Sequence, residues 1–114
     1  MTSVGQTQYS ANGTSGWGDT IGAVLTAGEA VDFYIRTNPA AVVEADDGSY
    51  IYKFAMETEG AGGLSLVNDA VNRAHITGTT PADQVGKTFS VNCTIEDSYG
   101  TSVAGTSLSK VWTA

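Results

Sequence analysis

Few side chains in this sequence have the type and spacing that chemistry requires. The single histidine, His75, sits between Ala74 and Ile76. No Ser-His-Asp or Cys-His spacing accompanies it, so it reads as a strand residue rather than a general base. The single cysteine, Cys93, allows no internal disulfide. It falls on the apolar side of an alternating segment, where it reads as a small buried hydrophobe. Asp46, Asp47, Asp69, Glu96 and Asp97 fall in or near expected turns, where oxygen ligands of calcium often collect. Aspartate also builds turns by accepting hydrogen bonds from nearby amides. With one unit and no Asp-x-Asn-Asp-Asn linker, turn formation explains these carboxylates better than a metal. Gly60-Ala61-Gly62-Gly63 lacks the Lys-Ser/Thr and the helix of a phosphate loop. No catalytic, metal-binding or cofactor-binding residue is assigned, and no enzyme activity is expected.

The remaining candidates are aromatic. Tyr9, Trp17, Tyr34, Tyr99 and Trp112 are of the type that anchors partner contacts, because each joins a large apolar ring to a polar tip. Tyr34, Tyr99, Trp17 and Trp112 would also serve a sugar platform if they shared one exposed face. Trp17 has two readings: it covers the edge of its own domain, or it anchors the chain to a neighbour.

The elements that position these residues are strands. From Thr88 to Glu96, Phe89, Val91, Cys93 and Ile95 alternate with Thr88, Ser90, Asn92, Thr94 and Glu96, a period of two with one buried face. Asp97-Ser98-Tyr99-Gly100 follows with the residue types of a type I turn. Val31, Phe33 and Ile35 alternate with Asp32, Tyr34 and Arg36 until Pro39 breaks the run. Asp46-Asp47-Gly48-Ser49 predicts a hairpin turn before Tyr50–Thr58, whose Tyr50, Tyr52, Phe54 and Met56 are expected to face inward. Leu64–Val67 and Arg73–Thr77 read as two short strands around a turn at Asn68-Asp69. A last strand is expected over Ser102–Trp112, with Ala104, Thr106 and Leu108 on one side and a bulge at Gly105. No segment has sustained helical periodicity. About seven short strands at this spacing predict an all-β sandwich. Residues 1–20, rich in Gly, Ser and Thr, read as an N-terminal arm, and residues 21–114 as the folded domain.

A length of 114 residues bounds the chain to one domain. Only 15% of residues are charged, below the usual quarter, so part of the surface is expected to lie against a partner. The net charge of −7, with Arg36, Lys53, Arg73, Lys87 and Lys110 scattered, argues against nucleic acid and anionic membrane. Residues 1–22 lack the apolar core of a secretion signal, and a complete product made in a cytoplasm is expected.

The second half resembles bacterial and phage immunoglobulin-like domains of the putative-Ig, cadherin-like type. The resemblance rests on Leu64-Ser65-Leu66, Ile76-Thr77-Gly78-Thr79-Thr80-Pro81, Gly86, the strand from Thr88 to Ile95, Asp97-Ser98-Tyr99-Gly100 and the Thr/Ser-rich strand from Ser102 to Leu108. It covers residues 60–112, with one extra Thr before the proline. It implies an immunoglobulin-like Greek-key sandwich. Such domains occur in adhesins, glycan-handling proteins and phage virions, including head decoration proteins. A lone acidic domain with a polar arm fits a phage capsid decoration or cement protein, made in the host cytoplasm and located in the virion. Its expected partners are the major capsid protein or other virion subunits, in a homo-oligomer or lattice. A carbohydrate- or host-surface-binding module and a minor tail protein are the alternatives.

Overall fold

The structure is a computed structural model, and it describes residues 6–38, 50–57, 59–97, 100 and 102–114. The strands are β1 (Thr7–Ser10), β2 (Ala30–Thr37), β3 (Tyr50–Met56), β4 (Leu64–Ala70), β5 (Arg73–Thr79), β6 (Thr88–Asp97), β7 (Ser102–Ala104) and β8 (Leu108–Val111). One sheet has the order β1-β2-β5-β4. In the other, β6 lies between β3 on one side and β7 and β8 on the other. All these pairings are antiparallel. The chain therefore changes sheets between β2 and β3, between β3 and β4, and between β5 and β6. The expected β-sandwich is the observed architecture.

Alternation explains which residues lie between the sheets. Phe33 and Ile35 of β2, Ala74 and Ile76 of β5, and Phe89, Val91, Cys93 and Ile95 of β6 are all buried. Each large side chain among them contributes about 1.5–3 kcal/mol relative to exposure. The aromatic members form a continuous path through the molecule. Tyr9 packs on Phe33 at 5.5 Å, Phe33 meets Phe89 across the sandwich edge-to-face at 5.9 Å, and Phe89 meets Trp112 at 6.4 Å. The Trp112 indole N–H donates to the Gly60 carbonyl at 2.6 Å, which satisfies the polar atom of a side chain that is 1% exposed.

Three expectations change. The β4–β5 turn lies at Val71-Asn72 rather than Asn68-Asp69, because β4 continues to Ala70 through a register shift between Asn68 and Ala70. Ala104, Thr106 and Leu108 do not share a face. The last strand breaks after Ala104, so Val103 pairs with Ile95 and Leu108 with Val91, while Ala104 and Thr106 are exposed. The local irregularity expected at Gly105 is present, and the Gly105 N–H donates to the Cys93 carbonyl at 2.7 Å.

The third change concerns residues 1–20. The described part of this segment is folded onto the sandwich instead of extending away as an arm. β1 pairs with β2 from Thr7↔Thr37 to Ser10↔Tyr34. On its other side Tyr9 exchanges backbone hydrogen bonds with Gly18 at 2.8 and 2.9 Å. Gln6 forms a parallel bridge to Thr106, so this segment touches both sheets. Residues 21–26 join the end of the chain: Thr26 bridges Thr113, and the Lys110 ammonium donates to the carbonyls of Ile21 and Ala23 at 3.1 and 2.6 Å. The turns expected at Pro39 and at Asp46-Asp47-Gly48-Ser49 lie outside the described residues.

Backbone crowding makes Gly60, Gly63 and Gly78 indispensable. Gly63 has φ +80°, and a Cβ there would lie 2.1 Å from the Thr79 carbonyl oxygen. Gly86 has φ +85° but open space around the same position. Gly86→Ala is expected to cost about 1 kcal/mol from backbone strain alone. Gly63→Ala must also displace backbone and is expected to cost at least about 2 kcal/mol more. Urea unfolding of the two variants checks the difference.

Candidate interaction faces

The register of β1 and β2 decides which aromatic candidates reach solvent. Tyr9 pairs with Ile35 and faces the core, where its ring packs on Phe33. Trp112 is buried. Trp112 is corrected from a contact residue to a core residue, while Tyr9 is half-buried and packs its ring against the core rather than on the outer face. The physical reason is parity for Tyr9 and the Gly60 hydrogen bond for Trp112. Tyr99 lies outside the described residues.

Trp17 and Tyr34 do reach the outer face of the first sheet. Gly18 pairs with the inward-facing Tyr9, so its neighbours Trp17 and Asp19 point outward with Gln8, as alternation requires. Trp17 is half-buried, and the Arg36 guanidinium stacks over it 4.4 Å from the ring centroid. Trp17 thus covers the edge of its own sheet, the first of its two readings. Tyr34 stacks on His75 across the β2–β5 pair at 4.2 Å, with ring planes 8° apart. Gly13 comes down on the ring from the β1 side, where a Cβ would lie 2.9 Å from Tyr34 Cγ. The loop that carries Gly13 is tied by Asn12 Oδ1, which accepts from the Thr14 and Ser15 amides at 2.9 and 3.0 Å. Arg73 Nη1 donates to the Gly13 carbonyl at 3.1 Å.

The charged groups on this face differ in their partners. His75 Nε2 lies 2.5 Å from Asp32 Oδ1; among the described residues it bonds no hydroxyl or thiol that it would activate. Arg73 Nε donates to Asp69 at 2.9 Å, and that hydrogen bond raises the Arg73 pKa above its ordinary value. Arg36 Nε donates to Gln8 Oε1 at 3.0 Å, and Gln8 Nε2 donates to Asp19 at 3.2 Å. Loss of water around Arg36 lowers its pKa. Arg36, Gln8, Arg73 and His75 were not singled out as partners of the aromatics. The outward parity of Arg36 is readable on β2, but its stacking on Trp17 depends on a pairing between distant residues.

The outer face of the second sheet has another character. Ile51, Lys53 and Ala55 of β3 line up with Glu96, Thr94 and Asn92 of β6. Thr88 and Ser90 line up with Val111 and Ser109 of β8. Ile51 is 59% and Val111 49% exposed. Lys53 and Glu96 neutralise each other at 3.0 Å, an exposed pair worth about 0–1 kcal/mol. Glu57 continues the β3 parity at one end. Apart from that pair and Glu57, the residues named on this face are uncharged, in a chain of net charge −7.

Metal chemistry has little to build on in the described residues, where no group of three or more His, Cys, Asp or Glu side chains converges. No helix among them is long and apolar enough to cross a membrane. Comparison with protein-family models, with curated proteins and with solved structures found no match to this chain.

Cys93 is 0% exposed, and burial pushes its thiol pKa up. The thiolate is the reactive form. Labelling by a thiol reagent at pH 8 is therefore expected to be negligible in the native protein and complete after unfolding in urea. Rapid native labelling would show that the core around Cys93 opens.

Proposed function

We propose that this chain is a non-enzymatic structural protein of a virion, a capsid decoration or cement protein that binds the outside of a phage head. The observation that carries the reading is the nearly neutral outer face of the β3-β6-β7/β8 sheet. An acidic chain would gain solubility from charge there; its absence, with Ile51 and Val111 exposed, suits a face that lies against a larger surface. The strand order, first-second-fifth-fourth against third-sixth-seventh, supports an immunoglobulin-like Greek key, in keeping with the sequence resemblance. Binding would be the whole mechanism: burial of the neutral face, repeated over a lattice of subunits, adds weak contacts through avidity.

The sugar-binding alternative finds less support. A platform needs open ring faces, whereas His75 and Gly13 enclose Tyr34, Arg36 covers Trp17 and Trp112 is buried.

The test is co-sedimentation of the purified protein with empty heads and, separately, with tails, followed by electron microscopy. Fixed-stoichiometry decoration of heads is expected. The double variant Asn92→Glu/Ser109→Glu places unpaired charge in the middle of the neutral face and is expected to weaken binding about tenfold or more while the melting temperature stays close to that of the parent. Binding to tails alone, or a monomer that ignores both particles, contradicts the reading.

A further inference from the structure

The outer face of the first sheet holds an arginine that is fixed in place but has no anionic partner among the described residues. Trp17 lies beneath the Arg36 guanidinium at 4.4 Å, and Gln8 engages its Nε at 3.0 Å. Gln8 is in turn held by Asp19 at 3.2 Å. Two contacts, from Trp17 and Gln8, thus set the plane and rotation of the fork, and Asp19 holds Gln8 in place. The Nη1 and Nη2 groups have no hydrogen-bond partner among the described residues. Arg73 on the neighbouring strand is different, because its Nε donates to the Asp69 carboxylate and its Nη1 to the Gly13 carbonyl. Loss of water without a neutralising charge is a state that a bound anion relieves.

From this geometry we infer that Arg36, seated on Trp17 and aligned by Gln8, is a docking anchor for an Asp or Glu side chain of a partner protein. The end-on pair of Nη groups matches the two oxygens of a carboxylate. Trp and Arg are also the residue types that dominate interface energetics when their own conformations are already ordered. A single negative charge fits better than a phosphate dianion, because the carboxylates of Asp19 and Asp69 lie on the same face and the chain carries net charge −7. The same charge balance opposes a polyanion such as nucleic acid or an anionic membrane. The anchor lies on the opposite sheet from the neutral face, so it stands independently of the proposed function.

The test is a titration of the whole chain, labelled with nitrogen-15, with the peptide acetyl-Gly-Glu-Gly-amide and with its Gln counterpart. The readouts are the Arg36 Nε–H and Trp17 indole N–H resonances. A saturable shift of both at millimolar Glu peptide is expected, with at least about tenfold less response to the Gln peptide. Arg36→Gln is expected to abolish the response, and Arg36→Lys to weaken it several-fold because an ammonium lacks the fork. An unchanged Trp112 indole resonance reports that each variant is folded. Equal response to the two peptides, no saturable shift, retention in Arg36→Gln, or tighter binding of inorganic phosphate than of the Glu peptide would overturn the inference.

Discussion

The two-sided pairing of Tyr9 is the constraint on which the outward chemistry of this protein depends. Tyr9 lies opposite Ile35 on one side and Gly18 on the other, and its ring is fixed inward against Phe33. With that residue facing the core, Gln8 must face out, and so must Trp17 and Asp19 on either side of Gly18. A slip of one residue would invert all of them. Thr7 would then lose the buried position it now occupies. A strand of four residues thus organises the cation–aromatic cluster on the first sheet, and through Gln6↔Thr106 it also ties that sheet to the second.

The interior and the two outer faces divide the work. The aromatic path from Tyr9 through Phe33 and Phe89 to Trp112 joins the first strand to the end of the chain, so the termini are coupled through the core rather than along the backbone. The first sheet's outer face is ordered by specific contacts: the Tyr34–His75 stack, the Arg73–Asp69 pair and Arg36 on Trp17. The second sheet's outer face is plain, with Thr, Ser, Asn and Ala around one exposed ion pair. The first kind of face suits recognition of a particular group, the second broad contact with another surface.

Period-two alternation made much of this legible in the sequence. Phe89, Val91, Cys93 and Ile95 were expected inside and are buried, as are Phe33 and Ile35. Local patterns failed where pairing between distant segments overrides them. Residues 6–20 have the composition of a flexible linker, yet polar residues such as Thr7 and Ser10 suffice once β2 supplies a ladder. Asp69 has the type of a turn residue, but the register shift absorbs it inside the β4–β5 pairing and leaves its carboxylate to Arg73. Trp112 reads as a contact residue in the sequence because nothing in its neighbours reveals that the Gly60 carbonyl awaits its indole N–H. Of the proposed contact residues, Trp17 and Tyr34 reached the outer face; Arg36, which has no carboxylate partner among the described residues, was visible only as one of five scattered cations.

The central claim is that the segment before residue 20 belongs to the sandwich through Tyr9 and Gly18. Native-state hydrogen exchange of those two amides tests it most directly. The account predicts that both exchange about a thousandfold or more slowly than in a free chain, as amides in a cooperative unit do. Exchange of both at the rate of an unstructured peptide, while Phe33 and Val91 stay protected, would contradict it.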